Sequence, residues 1–410
     1  MQKILSQIKS ELTDELTQNI LPFWINKMTD EKNGGFYGQI NGKNQLVPDA
    51  PKGGILNARI LWTFSSAALH LKNPFYLKTA ERAKNYIFSH FFDTEYGGTY
   101  WMLHADGTPA DTKKQIYSQA FFIYALTEYY RASKDKECLN KAVELFHLIE
   151  KYSFDREQNG YFEAYSREWK LLDDLRLSEK DANEKKTMNT HLHILEAYTN
   201  LYRVWKDERL KNQLQNLIDI FLTKIINRET YHLDLFFDEN WNCKSTIFSY
   251  GHDIESAWLL EEAAKVLGNE DLLTKVKSET LKVTEAAAEG IRTNGGLINE
   301  KNYLTGHVNS NFDWWPQAEA MVGFFNAYQN TRNEDYTLKT IAIWNFIKHN
   351  IIDSKNGEWF WSVSESGIKN TSDDKAGFWK CPYHNSRMCL ELLERIEKVV
   401  SERNIFGRIN

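Results

Sequence analysis

Asn33-Gly34-Gly35-Phe36-Tyr37 returns along the chain as Tyr96-Gly97-Gly98-Thr99-Tyr100-Trp101, Asn159-Gly160-Tyr161-Phe162, Asn294-Gly295-Gly296-Leu297 and Asn356-Gly357-Glu358-Trp359-Phe360-Trp361. Gly35 to Gly98 is 63 residues, Gly98 to Gly160 is 62, and Gly295 to Gly357 is 62. The remaining gap, 160 to 295, is about two periods, and Tyr231-His232-Leu233-Asp234-Leu235 lies near its middle as a degenerate copy. Asp30, Asp93, Asp155 and Asp353 precede four of the copies by a few residues. A fixed period of this length marks repeat architecture, here six units. Each copy reads as a tight turn into a short strand, a small hairpin.

Two kinds of helix lie between the copies. One is amphipathic, as in Leu139, Ala142, Val143, Phe146 and Ile149, or Leu210, Leu214, Leu217, Ile218, Phe221 and Ile225. That is the i, i+3/i+4 stripe of a helix with one wet face. The other is apolar nearly all round, as in Ile55-Leu56-Asn57-Ala58-Arg59-Ile60-Leu61-Trp62-Thr63-Phe64, and such a helix is buried on most sides. Their alternation predicts an all-α fold in which six inner helices are ringed by six outer ones. The inner set falls at 55–72, 113–134, 186–206, 250–268, 312–331 and 381–400. Six such repeats close into an (α/α)6 barrel with short β-hairpins between them, one domain over 1–410; an open superhelical solenoid is the alternative.

Bulk properties narrow the partners. A net charge of -6 over 410 residues, with 42% hydrophobic and 26% charged residues, is that of a globular protein with no pull toward nucleic acid or an anionic membrane. No run of about 18 apolar residues exists, which argues against a membrane span. Lys3, Lys9, Glu11, Asp14 and Glu15 interrupt the first 20 positions, so no signal-peptide core is present and the cytoplasm is the expected compartment. Cys138, Cys243, Cys381 and Cys389 have neither C-x-x-C spacing nor the density of a disulfide framework. Aromatic residues reach 14%, with thirteen Trp, either as barrel packing or as flat walls for sugar rings.

The inner helices begin with groups that a dry core would not choose. The second opens near Gln115-Ile116-Tyr117-Ser118-Gln119 and the third with Met188-Asn189-Thr190-His191-Leu192-His193-Ile194-Leu195-Glu196. The fourth has Tyr250-Gly251-His252-Asp253-Ile254-Glu255-Ser256-Ala257-Trp258, the fifth Asp313-Trp314-Trp315-Pro316-Gln317-Ala318-Glu319. The sixth follows Phe378-Trp379-Lys380-Cys381-Pro382-Tyr383-His384-Asn385, and the first carries Arg59 in an apolar run. Buried polar groups cost free energy unless paired, so the same oddity at one end of all six helices points to a site. His252 and Glu255, three apart, share a helix face, which lets Glu255 hold the imidazole; Trp258, three further on, would wall the same pocket. His191 and His193 are turned about 200° apart on a helix, which disfavours a metal clamp. On a strand they would share a face, and zinc would return.

No phosphate-binding Gly-rich loop and no G-x-S-x-G elbow is present. Glu255 and Glu319 could serve as the carboxylate pair of a glycoside hydrolase, although such an enzyme needs no histidines. Histidines suit reversible proton transfer near neutral pH. Two of them on opposite faces of a planar enediolate, with Arg59 stabilising the developing oxygen charge, make an epimerase kit for a carbon next to a carbonyl.

The segments Leu56-Asn57-Ala58-Arg59-Ile60-Leu61-Trp62-Thr63-Phe64-Ser65, Met188–His193, Gly251–Glu255, Trp314–Glu319 and Trp379–His384 resemble those of the cellobiose 2-epimerases, a branch of the N-acylglucosamine 2-epimerase superfamily. The resemblance runs from about residue 5 to 400. It implies an (α/α)6 barrel and metal-free conversion of a reducing-end glucose unit to mannose. No cofactor is expected, the expected partner is a small oligosaccharide, and the expected assembly is a monomer or weak dimer. It further implies His252 and His384 as the acid/base pair at C2, with His193 assisting and Glu255 supporting His252. Arg59, Tyr117 and Asn189 would hold the opened sugar, and Trp258, Trp315 or its neighbour Trp314, and Trp379 would stack on the rings, with Glu319 beside them. An aldose–ketose isomerase, a monosaccharide or N-acylglucosamine epimerase on the same barrel, and a sugar-binding module remain alternatives.

Overall fold

The computed structural model describes residues 2–406, with side chains through 401. Helices α1 (Gln2–Asp14) and α2 (Leu21–Met28), joined by a π-helical segment at Glu15–Ile20, form the first outer helix. The chain then alternates inner and outer helices: α3 (Gly54–Leu71), α4 (Pro74–Tyr86), α5 (Ile116–Ser133), α6 (Lys136–Tyr152), α7 (Met188–Val204) and α8 (Glu208–Ile220). The second half continues the alternation with α9 (Tyr250–Leu267), α10 (Glu270–Ala288), α11 (Trp314–Thr331), α12 (Glu334–Phe346) and α13 (Tyr383–Phe406). The inner helices are the odd-numbered ones from α3 to α13. Residues 116–123 of α5 are buried without a break, whereas α8 buries only the stripe Leu210, Leu214, Leu217, Ile218 and Ile220. Position in the ring thus follows from which faces are apolar.

Each inner helix packs on the next, and α13 packs on α3, so the ring is closed and the open solenoid is set aside. All inner helices run the same way, which gathers their N-termini at one rim.

The Gly-aromatic copies are tighter than the hairpins expected of them. Each is closed by a single antiparallel bridge: Thr29–Phe36, Phe92–Thr99, Phe154–Tyr161, Ile226–Leu233, Ile291–Leu297 and Ile352–Trp359. The fourth is the degenerate copy, where Tyr231 takes the left-handed conformation (φ 62°) that Gly34, Gly97 and Gly357 take at the same place in other copies (φ 78°, 75° and 84°). The short strands join neighbouring units instead. Lys52–Gly53 pairs with Met102–Leu103, Lys114–Gln115 with Ala164–Tyr165, Lys186–Thr187 with Phe236–Phe237, Ile247–Ser249 with Glu300–Asn302, and Phe312–Asp313 with Ser362–Val363. A bridge from Ile40 to Ala376 joins the last unit to the first. These six stitches surround the rim at which the inner helices begin.

The recurrent aspartates hold that rim. Asp30 Oδ1 accepts from the amides of Lys32 and Asn33, and Oδ2 accepts from Lys52 Nζ at 2.8 Å. Asp93 with Lys114, Asp155 with Lys186 and Asp353 with Lys375 repeat the arrangement at 2.9, 2.7 and 2.6 Å. Both side chains of the Lys52–Asp30 pair are 0% exposed. Removing one partner of a buried pair strands a charge, at a cost of about 3–5 kcal/mol. Lys52→Met is therefore expected to lower unfolding free energy by that amount in a denaturant titration; a change under about 1 kcal/mol would show that the pair does not anchor the loop.

Candidate active site

At the rim of inner-helix N-termini lies a cavity of about 610 Å³ to which every inner helix contributes. Arg59 comes from α3, Tyr117 from α5, Asn189 and His193 from α7, His252 and Glu255 from α9, Trp314 and Trp315 from α11, and His384 from α13, with Asp313, Trp361 and Trp379 from the connecting segments. Beside it lies a larger cavity of about 1170 Å³, walled by residues of the 175–188 segment, Asn299, Glu300 and Asn309 and sharing Asn189, His252, Asp313 and Trp361 with the first.

The three histidines are each held through Nδ1, and none has a protein partner on Nε2 among the described residues. His193 Nδ1 donates to Glu196 Oε2 at 2.9 Å and His384 Nδ1 to Glu319 Oε1 at 2.7 Å, while His252 Nδ1 lies 2.7 Å from Ser249 Oγ. Burial depresses all three. It takes His252 down to about 3, aided by the field of His193. His384 falls well below the usual imidazole range through burial and the fields of Arg59 and Arg387, and His193 falls despite the opposing pull of Glu196. At neutral pH the cavity therefore presents three uncharged imidazoles, each able to accept a proton.

Trp315 lies beside two of them, its ring 4.6 Å from His252 and 5.7 Å from His384 by centroid. It reaches that place because position 251 is glycine: a Cβ there would come within 2.6 Å of the indole. Trp314, by contrast, is buried against Trp361 at 4.7 Å, so Trp315 is the half-exposed indole of the two. Arg59 Nη2 donates to Tyr117 OH at 2.8 Å, and its guanidinium lies 4.2 Å from the Phe121 ring. Arg59 Nε, Asn189 Oδ1 and Trp314 Nε1 are buried without a partner among the described residues. Two donors and an acceptor left open around one cavity are what a polyol would satisfy.

Beneath the cavity Arg387 gathers three carboxylates. Its Nη2 donates to Glu255 Oε1 at 2.6 Å and to Glu319 Oε1 at 2.7 Å, and its Nη1 donates to Glu196 Oε1 and Tyr383 OH. Burial works against ionisation of all three acids. In Glu196 the charge of Arg387 and the hydrogen bond from His193 overcome it and bring the carboxyl down to about 2, whereas Glu319 stays raised and Glu255 is pushed up to about 8. Glu255, Glu319 and His384 come within 4.8 Å of one another, a spacing that could hold a metal ion, but the cation already among them is the Arg387 guanidinium.

Several expectations change in this geometry. Glu255 does not hold His252; it accepts from Arg387, because its carboxylate turns across the ring rather than back along α9. Glu319 lies below the cavity, where it holds His384 instead of meeting a sugar. Trp258 donates to Glu319 Oε2 at 3.1 Å and lines a separate cavity at the opposite end of the barrel. Part of the polar set at the inner-helix starts is structural. Gln119 and Gln317 pair with both backbone groups of Thr99 and Leu297, Asp253 accepts from the Leu233 amide, and His191 Nε2 accepts from the Tyr161 amide. His191 thus faces outward and His193 inward, as their helical spacing requires. Glu196, Arg387 and Ser249 were not singled out from the sequence. Glu196 follows His193, and Arg387 follows His384, at the same three-residue spacing that drew attention to Glu255.

A barrel whose rim presents neutral histidines, an arginine and indole walls around a sugar-sized cavity defines a class, the carbohydrate epimerases and isomerases built on α/α barrels. The sequence profile of the N-acylglucosamine 2-epimerase (GlcNAc 2-epimerase) family matches residues 35–387, and the chain belongs to that family. It is 54% identical to a cellobiose 2-epimerase of Bacteroides fragilis, over 94% of this chain and 98% of that one, and 44% identical to one of Ruminococcus albus, over 94% and 98%. The solved cellobiose 2-epimerase of Bacillus thermoamylovorans superposes with a TM-score of 0.92 at 43% identity, over 95% of this chain and 100% of that one. The family resemblance read from the motifs and the closed barrel are thereby established, as is the enzyme class, a sugar epimerase. Among the described residues no helix is long and apolar enough to cross a membrane.

Proposed function

We propose that the protein epimerises the reducing-end glucose unit of a β-1,4 disaccharide, cellobiose or lactose, to mannose at C2. The observation that carries this reading is the placement of His252 and His384, uncharged and from different helices, in the wall of one cavity and beside the same indole, Trp315. The opened sugar lies against that cavity with its carbonyl oxygen toward Arg59. One histidine removes the C2 proton to give a cis-enediolate, whose charge Arg59 stabilises. Rotation about C2–C3 presents the other face, the second histidine returns a proton, and the ring closes. His384 has Glu319 behind its Nδ1 to support the imidazolium, whereas His252 has only a hydroxyl. Trp315 and Trp379 wall the reducing ring, Tyr117 and Asn189 meet its hydroxyls, and the larger neighbouring cavity takes the second sugar unit. No metal enters this scheme, since Arg59 and Arg387 supply the positive charge. We place the activity in the cytoplasm, in one catalytic domain that works as a monomer or weak dimer.

The hydrolase alternative loses its carboxylate pair here. Glu255 and Glu319 share one Arg387 nitrogen, and Glu319 lies below the cavity. Cleavage would need two carboxyls about 5–10 Å apart, flanking the bond.

Incubation with cellobiose, glucose, mannose and N-acetylglucosamine, followed by chromatography, tests the substrate. A glucosyl-mannose product from cellobiose is expected; a fructose-containing product would assign an isomerase instead, and released monosaccharide a hydrolase. The histidine pKa values also set the acid limb. A free imidazole stops acting as a base below about pH 6.5, and burial moves that limit downward here. kcat/KM is therefore expected to stay level well below about pH 6.5 and to fall only in stronger acid, while a half-drop at or above that pH would contradict neutral, buried bases.

A further inference from the structure

The floor of the cavity carries more negative charge than positive. Glu196, Glu255 and Glu319 are all buried, and Arg387 is the guanidinium bonded to them. Arg59, the other cation of the site, is bonded to Tyr117 OH and the Trp379 carbonyl, not to a carboxylate. With uncharged histidines, the three carboxylates of the floor against two arginines leave one negative charge over, even before Asp313 in the cavity wall is counted. An uncompensated charge in so dry a place is removed by protonation.

The donors decide which acid takes that proton. Glu196 accepts from His193, Arg387 and Tyr383. Glu319 accepts from His384, Arg387 and Trp258. Among the described residues Glu255 accepts from Arg387 alone, through Oε1, and its Oε2 has no protein donor. Of the three it is also the one that lines the sugar-sized cavity. Its neighbours come from every inner helix: Arg59, Tyr117, His193 with Glu196, His252 on its own helix, Glu319, and Tyr383, His384 and Arg387. Burial and the field of Glu319 outweigh Arg387 and push the Glu255 carboxyl up to about 8, in the direction that this count requires.

We propose that Glu255 is a neutral carboxylic acid whose Oε2–H protonates the ring oxygen of the bound sugar, opening the ring before the chemistry at C2. This rests on the epimerase reading. Glu255 gives its proton to O5, and the C1–O5 bond breaks with its electron pair going to O5. The O1 proton passes to Nε2 of uncharged His193, and C1=O1 forms. A carboxylate and an imidazolium replace an acid and an imidazole, so the net charge of the site is unchanged, and ring closure reverses both transfers. Glu196, ionised behind His193, stabilises that imidazolium. The C2 chemistry is left to His252 and His384.

Glu255→Gln keeps the shape and an acceptor for Arg387 but has no acid proton. Two substrates separate its role from that of the C2 bases: cellobiose, and an analogue whose reducing unit lacks the C5 hydroxyl and stays open-chain. Glu255→Gln is expected to lose at least about 100-fold on cellobiose yet to exchange the C2 proton of the open-chain analogue within about threefold of the unsubstituted enzyme. His252→Asn should lose both. Equal loss of Glu255→Gln on both substrates, or less than about tenfold loss on cellobiose, would overturn the proposal. Difference infrared spectra of the two proteins near pH 6 give a readout without turnover: the carbonyl stretch of a protonated carboxyl present only in the unsubstituted protein is expected, and its absence overturns the proposal. If the unsubstituted protein acts on neither sugar, the epimerase reading fails, and the infrared band still decides the state of Glu255.

Discussion

His384→Asn is expected to lower epimerisation of cellobiose by on the order of 10³–10⁴-fold while the far-ultraviolet circular dichroism and melting temperature stay close to those of the unsubstituted protein. Asparagine can still meet Glu319 Oε1, which His384 Nδ1 now holds at 2.7 Å, so the buried carboxylate keeps a donor. What it lacks is a nitrogen that takes and returns a proton at C2. The loss should appear in kcat with KM little changed, because Arg59, Tyr117 and Asn189 still line the cavity. Activity within tenfold of the starting value would remove His384 from the acid/base pair.

Arg387→Met is expected to be the most damaging change for stability. It removes the guanidinium from Glu196, Glu255 and Glu319 together, and breaking buried pairs of this kind costs about 3–5 kcal/mol. The pH dependence separates charge from packing. With Arg387 present, Glu196 titrates near 2, below its unfolded value, so its contribution is constant from pH 5 to 8 and is lost only in acid. Without Arg387, Glu196 joins Glu255 as a buried acid with a folded pKa above the unfolded one. The folded state then holds more protons than the unfolded state between about pH 4.5 and neutrality, and stability falls as pH rises. Urea titrations should show Arg387→Met closer to the unsubstituted protein at pH 5 than at pH 8. An equal deficit at both would reduce Arg387 to a packing residue.

The fold was legible because its loops impose strict local demands. A left-handed turn closed by one bridge calls for glycine followed by a residue that packs against the barrel, and this signature survives in five of six units. In the fourth, Tyr231 takes the left-handed position, which is why the copy is recognisable mainly by its spacing. The hairpins expected there were not legible as stitches between units, since two-residue strands carry no alternation that names a partner. At the site, the residues that face the sugar could be found from polar groups on apolar helices. Their supports could not. His193–Glu196 and His252–Glu255 have the same three-residue spacing, yet the first pair bonds and the second does not. The difference is Arg387, 191 residues from Glu196 in sequence and in hydrogen-bond contact across the ring. Polar groups that bind a neighbouring loop, such as Gln119 and His191, also look the same in sequence as groups that line a cavity.

The central claim is a proton removed from and returned to C2 by histidines of the cavity, and one measurement addresses it directly. Cellobiose is converted in deuterated water and the disaccharide product is analysed by proton magnetic resonance. Two exchangeable histidines acting through an enediolate predict a mannose unit carrying deuterium at C2 and at no other carbon. A mannose unit formed with its original C2 hydrogen intact would contradict the account.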